Sequence, residues 1–170
     1  QAKSTSVHQK YLFAALEQVL QAAKLNVQTN LAKALHQVAE LIHKRSLVIV
    51  FSDMLQTVQD EDRVLALFSS LQHLKFNKHE VVIFNVIDKS KEVNFNFENR
   101  PYEFIDMETG VVLKTHTSKI AETYVQHMSE YRQNLALKCA QYKIDIVDAD
   151  INEGFDQVLQ SYLIKRKKMG

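Results

Sequence analysis

Aspartate closes each of the three most apolar short runs in the chain. Leu47-Val-Ile-Val-Phe51 is followed by Ser52-Asp53, Val81-Val-Ile-Phe84 with Val86 and Ile87 by Asp88, and Ile144-Asp-Ile-Val147 by Asp148 and Asp150. Short β-branched and aromatic runs of this kind read as strands buried on both faces, as in a parallel sheet. In open α/β sheets ligands bind outside the carboxyl ends of the strands, so these carboxylates stand where chemistry is done. As hard oxygen ligands they suit Mg²⁺ or Mn²⁺. Aspartate is also a common turn former after a strand, and residue type alone does not separate the two roles. For Asp53 two neighbours add weight: Ser52 precedes it, and Thr29 can be brought close by the helix that packs beside the strand.

The pair Asp148-Ala-Asp150 has a second reading, in which one carboxylate attacks phosphorus and the other protonates the leaving oxygen. A buried strand followed by Asp-x-Asp resembles haloacid dehalogenase-type phosphatases. There the motif lies on the first strand and is followed by Gly/Ser/Thr and Thr/Val, whereas here it ends the last strand and is followed by Ile151-Asn152. A divalent-metal-dependent phosphohydrolase using Asp148 and Asp150 is the alternative function. The seven histidines show no metal-ligand spacing: His36 and His43 are two helical turns apart, and His73 and His79 flank a helix end, so they read as solvated or capping residues. Cys139 falls on an apolar helix stripe and reads as a small core residue. No Ser/His/Asp set can be assembled with any specificity. Lys165-Arg-Lys-Lys168 reads as a run of cations meeting a helix C-terminus.

These residues need elements to position them. Leu12, Leu16, Val19, Leu20 and Ala23 recur at helical spacing and predict an amphipathic helix over Val7 to Lys24. Leu31, Leu35, Val38, Leu41 and Ile42 repeat the pattern, with Thr29 or Asn30 placed to cap. Val64, Leu67, Phe68, Leu71 and Leu74 define a third helix. Val93, Phe95 and Phe97 alternate with polar residues and predict a short half-exposed strand. Tyr102 to Ile105 and Val111 to Leu113, around Glu108-Thr109-Gly110, predict a hairpin, and residues 93–114 form an insertion in the crossover. Insertions that packing does not require are where partners bind, so Asp106 and Glu108 are candidate recognition carboxylates, although both types are ordinary in hairpin turns. Ser118 to Gln141 predicts a long helix with Ile120, Tyr124, Met128, Tyr131, Leu135 and Cys139 on one stripe. Asn152 is placed to cap a last helix that turns Phe155, Val158, Leu159, Tyr162 and Leu163 inward.

The order α-α-β-α-β-(hairpin)-α-β-α predicts one α/β domain over residues 1–170, a three-layer fold with a mainly parallel sheet and helices on both faces. The 170 residues contain three glycines and one proline, and the first glycine is Gly110. Glycine-rich phosphate loops are therefore excluded. Lys plus Arg total 21 and Asp plus Glu 20, so no global field draws nucleic acid or anionic lipid. The longest aliphatic and aromatic run, Tyr11 to Leu16, has six residues, against about 20 for a membrane span. One cysteine, no Asn-x-Ser/Thr sequon and no signal-peptide pattern point to a cytoplasmic location.

Thr29-Asn-Leu together with Leu47-Val-Ile-Val-Phe-Ser-Asp53 resembles the second and third metal-contacting segments of von Willebrand factor A-type domains. In that fold a threonine in one loop and an aspartate after the central strand join an Asp-x-Ser-x-Ser motif around a divalent ion. His79-Glu-Val-Val-Ile-Phe-Asn-Val-Ile-Asp88, Phe104-Ile-Asp-Met-Glu-Thr-Gly110, the long helix and Ile144-Asp-Ile-Val-Asp148 then resemble, in order, the C-terminal half of a bacterial family of unknown function. Its members are von Willebrand A-like proteins typically encoded beside MoxR-type AAA+ ATPases. The resemblance runs from about Val7 to Lys168. It implies a Rossmann-like von Willebrand A fold and a non-enzymatic interaction domain that assists a MoxR-type ATPase in assembly or maturation of another protein. It also implies a partial metal site at Thr29, Asp53 and Ser52.

The Asp-x-Ser-x-Ser motif does not occur in these residues. Two protein ligands rarely hold Mg²⁺ tightly, so no tightly bound cofactor is expected, with Mg²⁺ reserved for an intact, longer protein. The strand that carries the motif in the family would lie beside Leu47 to Phe51, which is otherwise an apolar edge. The chain is expected to be the C-terminal part of a longer protein, with N-terminal strands missing and membrane anchoring of the intact protein open. The other expectation for this edge is a homodimer paired through residues 47–51.

Overall fold

The computed structural model describes residues 5–22, 30–55, 61–106 and 110–169. The chain divides into two compact units, Gln1–Thr29 with Glu103–Leu113, and Asn30–Tyr102 with Lys114–Gly170.

The larger unit is built on three strands, β1 (Leu47–Ser52), β2 (Glu80–Ile87) and β5 (Asp145–Asp150), in the order β1-β2-β5. Both pairings are parallel, with Leu47 opposite Glu80, Ser52 opposite Asn85, and Asn85 opposite Asp148. The central strand is the most completely buried, as a strand covered on both faces requires. β1 lies at an edge, as its place in the chain suggests, and its outward residues Leu47, Ile49 and Phe51 remain exposed while Val50 is buried.

Three helices meet on one face of this sheet. They are α2 (Leu31–Leu41), α3 (Glu61–Phe76) and α4 (Thr117–Gln141), and they bring Leu35, Leu67, Leu71, Leu74, Leu135 and Cys139 against Val50, Val81 and Ile83. Asn30 starts α2, its side chain accepting the Lys33 backbone N–H at 2.9 Å, which is the choice the Thr29/Asn30 alternative left open. Thr29 itself lies outside the described residues. Ser70 fixes α3 against α2, its buried hydroxyl 3.0 Å from the Ala32 carbonyl. On the other face α5 (Phe155–Met169) sets Tyr162 and Val158 against Val82, Phe84 and Val147. Helices therefore cover both faces. The expected inward set of α5 is too broad: Phe155, Leu159 and Leu163 are exposed, because a single helix over three strands buries only a narrow stripe.

The strand expected at Val93 to Phe97 does not form. Asp88 caps a π-helical turn at Lys89–Val93, accepting the Lys91 N–H at 3.1 Å. Phe95 then takes a left-handed backbone, φ 50°, and is buried with its ring 4.7 Å from that of Tyr124. Aromatic burial has overridden the period-two pattern here. The hairpin does form, as β3 (Pro101–Ile105) and β4 (Val112–His116). Gly110, at φ 73°, donates its N–H to the Asp106 carbonyl at 2.7 Å and closes the turn.

The smaller unit contains α1 (Ser6–Ala22). The helix forms as its periodicity predicts, but Leu12, Leu16, Val19 and Leu20 are exposed. Ala23 and Lys24 lie outside the described residues. Among those described, no helix is long and apolar enough to cross a membrane.

Candidate functional site at the carboxyl ends of the sheet

The parallel register carries the ends of β1, β2 and β5 to one side of the larger unit, and with them Ser52, Asp53, Asp88 and Asp150. The loop after β1 folds on its own side chains. Ser52 Oγ accepts the Met54 N–H at 3.1 Å, and Asp53 Oδ1 accepts the Leu55 N–H at 3.2 Å. Met54 is left in a positive-φ conformation, φ 57°, with its side chain fully buried, and its carbonyl accepts the Tyr131 hydroxyl from α4.

The loops after β2 and β5 are tied together by Asn152. Its Nδ2 donates to Asp88 Oδ1 at 3.0 Å and to Asp150 Oδ1 at 3.1 Å, and its backbone N–H also reaches Asp150 Oδ1. The expected helix cap is thus a loop clamp: Asn152 lies three residues before α5 and spends its amide on two carboxylates instead.

Sequence reasoning passed over Glu92, the residue that meets this end of the sheet from the π-helical turn. The Glu92 carboxyl is raised from its usual value, first by burial and then by the charges of Asp53, Asp88 and Asp150, with a backbone hydrogen bond at Asp88 acting the other way. Its Oε2 is buried and has no hydrogen-bond partner. Asp150 moves in the opposite direction. The Asn152 N–H, and after it the Lys89 N–H and the Asn152 amide, hold its carboxyl below the usual range. The local signal for Glu92 was its distance of four residues from Asp88; it lies just before the strand expected from Val93, in a segment given no element from the sequence.

Asp148 does not join this group. Its Oδ1 accepts the Asn85 Nδ2 at 3.0 Å, and its Oδ2 is paired with the Arg132 guanidinium from α4. The two carboxylates of Asp-x-Asp are therefore separated in role, Asp148 committed to an ion pair and Asp150 to the loop clamp. Asn85 and Arg132 line a groove of about 480 Å³ with Asp148, Ser129 and Gln133. Of the hairpin carboxylates, Asp106 is exposed and closes the turn through its backbone, and Glu108 lies outside the described residues.

Of the three positions implied as metal ligands, Thr29 lies outside the described residues, while Ser52 and Asp53 are adjacent at the end of β1. Asp53, Asp88 and Asp150 act on Glu92 through their charges; among the described residues, the ligand atoms close enough to share an ion are those of His36, Glu40 and His73. The remaining sequence assignments are mixed. Cys139 is buried on α4, and burial pushes its thiol up to about 11. In the basic run, Arg166 is held by the Tyr162 hydroxyl at 2.6 Å and by Glu80 at 3.1 Å. The histidines are not all scattered: His36 and Glu40 on α2 and His73 on α3 place one ligand atom each within 4.8 Å of one another.

No curated protein and no solved structure matches the chain. Residues 2–134 match the model of the family described as "Protein of unknown function DUF58", and the chain, with most of its length inside that match, belongs to this family.

Proposed function

We propose that the chain is a non-enzymatic protein-interaction domain of von Willebrand A-like type that assists a MoxR-type AAA+ ATPase in assembling or maturing other proteins. The observation that carries this reading is the place of Ser52-Asp53, which closes a parallel strand at the same end of the sheet as Asp88, Glu92 and Asp150. The ordered resemblance of the motifs supplies the kind of partner. Asp53 and Ser52, with Thr29, are the residues that would hold a divalent ion, and such an ion would supply positive charge at this acidic end. Asp106 and Glu108 of the hairpin offer carboxylates to a partner surface.

The test is direct binding. The chain is immobilised and a MoxR-type ATPase from the same genome is passed over it with and without ATP and Mg²⁺. Saturable binding is expected, weakened at least severalfold by Asp53→Ala and by the paired change Asp106→Ala with Glu108→Ala. Absence of binding in every nucleotide state overturns the proposal, as does phosphomonoester hydrolysis that is lost in Asp148→Asn.

A further inference from the structure

Helices α2 and α3 pack as a fixed pair, with Leu35 and Ala39 set against Leu71 and Leu74 and with the Ser70 hydroxyl on the Ala32 carbonyl. Their outer rims carry three side chains that bind transition metals. His36 and Glu40 are one helical turn apart on α2, so they share a face. His73, in the last turn of α3, reaches them from the side: its ring centroid is 5.5 Å from that of His36, and its Nε2 is 3.7 Å from Glu40 Oε1. All three ligand atoms lie within 4.8 Å of one another. Around a tetrahedral zinc ion, with bonds near 2.0–2.2 Å, neighbouring ligand atoms stand about 3.3 Å apart. Small rotations of the exposed His36 and Glu40 side chains toward the half-buried His73 close that difference.

An independent feature lies next to the cluster. Glu40 and His73 also line a hollow of about 340 Å³ together with His43, Asn77 and His79. His79 is only 2% exposed, and its Nδ1 accepts the Ser46 backbone N–H at 3.2 Å. That bond puts the ring proton on Nε2, which is buried without a hydrogen-bond partner. His43, His73 and His79 thus give the wall of this hollow three imidazoles.

We propose that His36, Glu40 and His73 bind a divalent ion of the zinc class, with its open coordination positions toward the hollow that Glu40 and His73 line. Two imidazoles and one carboxylate form an open set that favours zinc over the all-oxygen preference of Mg²⁺. The site is at the amino ends of β1 and β2, since Ser46 precedes Leu47 and His79 precedes Glu80. It therefore stands apart from Ser52-Asp53 and is independent of the interaction reading.

The experiment is zinc titration of the metal-free 170-residue chain in competition with a chromophoric chelator, followed by Co²⁺ absorption spectra. One zinc per chain with a Kd below about 10 μM is expected, with a tetrahedral Co²⁺ spectrum and no competition from Mg²⁺. His36→Gln and His73→Gln each weaken binding at least tenfold, while His8→Gln leaves it unchanged. His36 is exposed and His73 half-buried, and far-UV circular dichroism checks that the variants fold. A Kd above that limit, or zinc binding that survives the double variant, overturns the proposal.

Discussion

Asn85 and Asp148 face each other across β2 and β5, and the Asn85 amide donates to the Asp148 carboxylate at 3.0 Å. Asn85 is 4% exposed, and the Arg132 guanidinium holds the other oxygen of the Asp148 carboxylate. Removing the Asp148 carboxylate leaves the buried Asn85 amide without that partner, while the part-exposed Arg132 stays in reach of solvent. Asp148→Ala is expected to lower stability by about 1–3 kcal/mol, the usual cost of leaving buried polar groups unpaired. Apolar replacement of both Asn85 and Asp148 is expected to cost less than the two single changes together. Urea unfolding of the three variants measures this, and a loss under about 0.5 kcal/mol in Asp148→Ala contradicts it.

Glu92 and Asp150 are expected to respond to pH with opposite signs. Glu92 has a carboxyl raised above its ordinary 4.5, so between its unfolded and folded values the native state binds more protons and stability falls as pH rises. Glu92→Gln should therefore be more stable than the parent at pH 7, with the gain shrinking toward pH 4. Asp150 is held below its ordinary 3.8, so its contribution is present above that value and is lost as pH falls through the folded one. Asp150→Asn should be less stable at pH 7, with the difference fading in acid. Thermal melts across pH 3–8 compare the pair, and a shared sign at pH 7 is incompatible with the acidic cluster described here.

The Cys139 thiol is expected to be silent in the folded protein. Burial raises it to about 11, and the thiolate is the reactive form. At pH 8 a thiol reagent should label the native chain only as fast as it opens, and label it at once in denaturant. Immediate stoichiometric labelling of the native chain would contradict the packing of α4. Cys139→Ser is expected to destabilise by about 1–3 kcal/mol, because it buries a hydroxyl among Leu71, Leu74 and Leu135.

Much of the fold was legible because its signals are local. The runs at Leu47, Val81 and Ile144 became three parallel strands, and the stripe through Met128, Leu135 and Cys139 became the buried face of α4. Errors came where side chains had a second use. Phe95 alternates like a strand residue but packs on Tyr124 from a left-handed backbone, and Asn152 is placed like a cap but bridges Asp88 and Asp150.

The candidate sites show the division most clearly. Which residues end the strands, and hence that Asp53, Asp88 and Asp150 share one end of the sheet, follows from the sequence, since strand direction and period are properties of short segments. Which carboxylates meet was decided only by tertiary structure. Asp148 and Asp150 are two residues apart, yet one pairs with Arg132 and the other with Asn152. His36 and His73 are far apart in sequence and meet only because α2 and α3 pack in one register. Periodicity sets which face of an element is apolar, but the partner that a polar side chain finds depends on the distance between elements, which packing alone sets.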